Sequence, residues 1–68
     1  MSLTTQRRFV TPLADETVED LAARAMPGEP PEDAVARIKS WNLHIFVMRR
    51  PPGLLLGSDV VFVEPPPG

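Results

Sequence analysis

The sequence has no cysteine and no tyrosine, one tryptophan and a single histidine, His44. Disulfides are therefore excluded, and a zinc site built from several Cys or His ligands has no donors to draw on. Charge is close to balanced, seven Lys and Arg against nine Asp and Glu, so no basic field exists to hold a nucleic-acid backbone. The two local basic pairs, Arg7-Arg8 and Arg49-Arg50, release too few counterions to change that. Apolar runs stop at four residues in Ile45 to Met48 and Val60 to Val63, far short of the roughly 18 a membrane helix needs. The start of the chain is polar and leads into Thr11, Pro12, Asp15 and Glu16 rather than an apolar stretch, so no export signal is expected. These absences predict an intracellular protein without membrane insertion.

Catalytic sets are also missing. No glycine-rich phosphate loop and no convergent Ser/His/Asp set can be read from the sequence. Asp15, Glu16, Asp20 and Asp33 raise the question of a carboxylate pair for acid–base work, but helix starts favour acidic residues through the dipole alone. No enzyme activity, cofactor or metal is expected, and a lone His44 is given no chemistry.

What is present is a short, proline-rich chain of 68 residues with nine prolines. One domain of this size buries only about 60% of its unfolded surface, so its core must be small. Phe9, Val10 and Thr11, stopped by Pro12, predict a first strand near a sheet edge. Thr17 followed by Glu19 and Asp20 has the form of a helix start, and the spacing of Val18, Leu21, Ala22 and Ala25 predicts an amphipathic helix over 18–26, ended by Pro27-Gly28. After a connector with three prolines, Ala34, Val35, Ile38 and Trp41 form the apolar stripe of a second helix over 32–41, with Asn42 as its left-handed terminator. Trp41 at the end of that stripe belongs with the core rather than with a sugar-stacking site. Residues 45–48 read as a short extended segment, Gly57-Ser58-Asp59 as a turn, and 60–63 as the second main strand. Pro65 to Gly68 reads as an extended tail.

This order resembles a LysM domain over 9–65. Asp15-Glu16-Thr17 stands where that family has Gly-Asp-Thr, Val18 and Leu21-Ala22 follow as its first-helix core, and Asn42 follows the second helix. Leu56-Gly57-Ser58 then leads into the last strand before Pro65. Thr17, Asn42 and Gly57 match by identity; Leu43 stands where the family has proline, and residues 43–55 are longer and more apolar than its usual link. The resemblance implies an α+β fold, a small βααβ domain with two helices packed on one face of a short antiparallel sheet. It is flanked by an N-terminal extension over 1–8 and a proline-rich tail over 66–68.

Two functional readings follow from the resemblance. Small LysM-like tail proteins of phages and contractile injection systems, such as the tail protein X type, are similar in character. That branch implies a structural adaptor near a baseplate, spike or tube, cytoplasmic before assembly and then part of the particle, with larger structural proteins as partners. The excess of apolar residues singles out Ile45, Phe46, Val47 and Met48 as the partner-binding segment, with Phe46 and Met48 as anchors and Arg49 and Arg50 as a charged rim; Arg7 and Arg8 are added at the first strand. The alternative is a binder of N-acetylglucosamine polymers such as peptidoglycan, whose family groove would take Asp15, Glu16, Thr17, Asn42, Leu43 and His44.

Overall fold

A computed structural model describes residues 7–66. Most of the N-terminal extension, 1–6, and the end of the proline tail, 67–68, lie outside the described residues.

The chain forms β1 (Phe9–Val10), α1 (Val18–Ala25), α2 (Pro31–Trp41), α3 (Leu43–Phe46) and β2 (Val61–Phe62). The fold is α+β: the two strands pair antiparallel, Phe9 opposite Phe62 and Val10 opposite Val61, while α1 packs on α2, and α2 on both α3 and β2. Each strand is shorter than its sequence pattern, because pairing is limited to two residue pairs between Pro12 on one side and Glu64-Pro65 on the other.

Thr17 caps α1 as its position suggests. The Asp20 N–H donates to Thr17 Oγ1 at 3.1 Å, and the Thr17 N–H to Asp20 Oδ2 at 3.4 Å, a reciprocal capping box that satisfies two N–H groups a helix start leaves over. Leu21 and Ala22 are buried, with Val18 and Ala25 packed against them. Helix α2 begins one residue earlier than its acidic start suggests, because Pro31 has the fixed φ of a first helical position and no N–H to leave unpaired. It buries Ala34 and Ile38 against Leu21, Ala22, Ile45, Val61 and Val63, while Trp41, at the last turn, is half-buried and outside that cluster.

Three expectations are corrected: Trp41, placed with the core by its position in the stripe, lies outside the core cluster, and two others concern Asn42 and the residues after it. Asn42 does not terminate α2 in the left-handed region; its φ is −133°, and its side chain is spent on the interior instead. Residues 45–48 are not extended: the Asn42 carbonyl accepts from the Ile45 and Phe46 N–H groups at 3.0 and 3.1 Å, and the Leu43 carbonyl from Val47 and Met48, each at 3.0 Å, so the chain rewinds into the single turn α3. The strand preference of Ile, Phe and Val is a preference for half-buried pleated surface, and here burial of Ile45 against α2 and β2 overrides it.

Residues 47–60 then run without regular structure to β2. The segment folds back on α3 where the Gly53 N–H donates to the Ile45 carbonyl at 2.8 Å. Gly53 has φ +82°, and a side chain there would meet the Phe46 ring at 3.4 Å, so backbone conformation and close packing both call for glycine.

Candidate partner-binding surface

The run singled out from the sequence divides sharply. Ile45 is fully buried, and Phe46 is half-buried against the core with its ring beside Gly53. Val47 and Met48 are 57% and 72% exposed. One helical turn explains the split: it carries Ile45 inward and leaves the residues after it on the outside. Leu54, Leu56 and Val60 from the same connection are exposed too, as are Leu43, Phe9 and Leu13 elsewhere. Among the described residues, eight exposed large hydrophobics against a core of seven buried ones are a heavy load for so small a domain.

The four arginines assigned to this surface from the sequence, Arg7, Arg8, Arg49 and Arg50, differ in what they do. Arg49 forms a two-pronged pair with Asp59, Nη1 to Oδ2 at 2.6 Å and Nη2 to Oδ1 at 2.7 Å, and its Nη1 also donates to the Leu54 carbonyl at 2.6 Å. Asp59 in turn accepts the Leu56 N–H at 2.7 Å. The Arg49 hydrogen bond holds the Asp59 carboxyl below its usual range despite burial, which acts the other way. Arg49 thus fastens the connection rather than forming a rim. Arg50 is exposed, and among the described residues it donates only to the Val47 and Arg49 carbonyls. The Arg7 guanidinium lies 3.9 Å above the Phe62 ring and donates to the Glu64 carbonyl at 3.0 Å; its Nε is buried, with no hydrogen-bond partner among the described residues. The Arg8 side chain is exposed, and its N–H donates to Glu64 Oε1 at 2.9 Å.

The residues of the sugar-groove reading are not brought together. Asp15, at φ +59°, Glu16 and Thr17 line an open groove of about 500 Å³ whose far wall is Gly53, Leu54 and Leu55, not Leu43 or His44. Glu16 is held by the Arg24 guanidinium at 2.8 Å and by the Leu13 N–H at 2.9 Å, and the Arg24 bond keeps its carboxyl below the usual range. Thr17 is committed to its cap. Asn42 is fully buried: its Nδ2 donates to the Ile38 carbonyl at 2.7 Å and the Phe62 carbonyl at 2.9 Å, and its Oδ1 accepts from the Phe62 N–H at 2.8 Å. Leu43 points outward, and His44 stands edge-on to Phe62 with ring centres 6.5 Å apart.

The sequence reading missed the parts played by Asn42 and Asp59. Asp59 directly follows the Gly57-Ser58 turn signal, but its partner lies ten residues back and could not be chosen from among the arginines. Among the described residues, no three His, Cys, Asp or Glu side chains converge where a metal ion would sit, and no helix is long and apolar enough to cross a membrane. No family model, curated protein or solved structure matches the chain.

Proposed function

We propose that this chain is a non-catalytic structural adaptor in a phage-tail-like or contractile injection assembly, acting through contacts with larger structural proteins. The assembly class rests on the resemblance in element order to LysM-like tail proteins. The contact role is supported by one observation above the others: the connection over 47–60, pinned by Arg49–Asp59, holds Val47, Met48, Leu54, Leu56 and Val60 in water. A fastened apolar loop presents a preorganised surface, which lowers the ordering cost of association. The sugar-binding reading has no comparable support, since Glu16, Thr17 and Asn42 use their polar atoms within the domain.

A pair of substitutions tests the contact role. Met48→Asp, at an exposed site, changes stability by less than about 0.5 kcal/mol while lowering recovery with large particles; Phe46→Asp puts a charge against the core and loses the far-ultraviolet circular dichroism of the fold. Met48→Asp chains recovered in particles at the wild-type level would remove this surface from the account.

A further inference from the structure

The two-stranded sheet has two outer edges, and they are treated differently. In antiparallel pairing, the residues of a non-hydrogen-bonded pair turn their N–H and C=O groups outward. Phe9–Phe62 is such a pair: the Val63 N–H donates to the Arg8 carbonyl at 3.0 Å on one side of it, and Val10 pairs with Val61 on the other. The outward groups of Phe62 are both taken by the Asn42 amide, which stands in for a neighbouring strand and closes the β2 edge.

No such device serves β1. Among the described residues nothing bonds the outward N–H and C=O of Phe9, and only at the far end does Arg24 Nη2 take the Thr11 carbonyl, at 3.0 Å. Phe9 is 53% exposed, and an open hollow of about 290 Å³ lies along Arg7, Arg8, Phe9, Val10 and Val63. Arg8 has no ion-pair partner among the described residues. An open, apolar strand edge is a template for a further strand.

We propose that the β1 edge is completed by an extended strand of a partner protein, with an apolar side chain beside Phe9 and acidic side chains in the flanking positions that face Arg8. This rests on the contact-based reading above and names where and how one contact is made. Charge selects the occupant: a second copy would bring two Arg7-Arg8 pairs onto one ladder, whereas an acidic strand answers the unpaired Arg8.

The test uses the purified chain and a displayed library of random nonapeptides. Enriched peptides should alternate apolar and acidic residues, and should bind the Phe9→Pro variant at least about tenfold more weakly, the loss expected for one backbone pair together with its cross-strand side chain. That variant removes the outward N–H but no ladder bond to β2, so its circular dichroism should match the wild type. Arg8→Glu, whose backbone still bonds β2, should shift enrichment toward basic peptides. The proposal is overturned if nothing is enriched, if enriched peptides show no alternation or bind Phe9→Pro equally, if Arg8→Glu leaves the selection unchanged, or if the chain self-associates through β1. Because no particle is involved, such a failure would retire the edge alone and leave the adaptor reading to its own test.

Discussion

Asn42 is the residue on which the two halves of the domain meet. One primary amide closes the end of α2, through Ile38, and the outer edge of β2, through both backbone groups of Phe62. Each bond has a small net value, but removing one side leaves buried polar atoms unsatisfied at about 1–3 kcal/mol each. Asn42→Ala should therefore cost about 2–4 kcal/mol in urea unfolding. The nearly isosteric Asn42→Asp should not rescue it, because a carboxylate keeps the acceptor but has no donors for the two carbonyls. A loss below about 0.5 kcal/mol for either variant would mean that water replaces the amide without penalty. The sequence marked this position as the end of a helix, which is correct, yet assigned its backbone the task. The side chain's task depends on β2 arriving beside the end of α2 from 20 residues away, and no local pattern encodes that meeting. Thr17 is the opposite case, since both partners of its cap lie within three residues of each other and were legible from spacing alone.

Among the elements, α1 and α2 were readable because their apolar spacing and their start signals agree. The connection after α2 was not, because short apolar runs fit a strand or a buried turn equally, and the choice was made by where Ile45 could be buried. The long link that follows owes its shape to charge. Asp59 accepts from Arg49 and from the Leu56 N–H, and its folded-state carboxyl lies below the usual range chiefly because of the Arg49 bond. A carboxyl lowered on folding contributes stability that is fully present above the unfolded value, about 3.9 for Asp, and lost as pH falls through the folded value. Glu16, lowered by Arg24, adds a loss of the same sign. The melting temperature should thus hold steady down to about pH 5 and fall on further acidification. Asp59→Asn should melt lower than the wild type at neutral pH and show a shallower acid decline, with Glu16 supplying what remains. Parallel acid limbs for the two proteins, followed by circular dichroism, would mean that the Arg49–Asp59 pair contributes nothing to folding.

At the scale of the whole molecule, the described residues combine a core of seven buried hydrophobics with eight large hydrophobics left exposed. The α+β layout was legible in the alternation of β-rich ends and amphipathic middle. The division of the apolar residues between inside and outside was not: of the run Ile45 to Met48, Ile45 and Phe46 turn to the core, Val47 and Met48 stay exposed, and Leu54 and Leu56 join them. A chain of this kind should be found with partners. The direct measurement is gentle lysis of the native source, sedimentation, and quantitation of the protein in each fraction. Co-sedimentation with tail-like structural subunits in megadalton particles is the predicted result; recovery as a free small protein, or bound to cell-wall fragments, would contradict the adaptor reading.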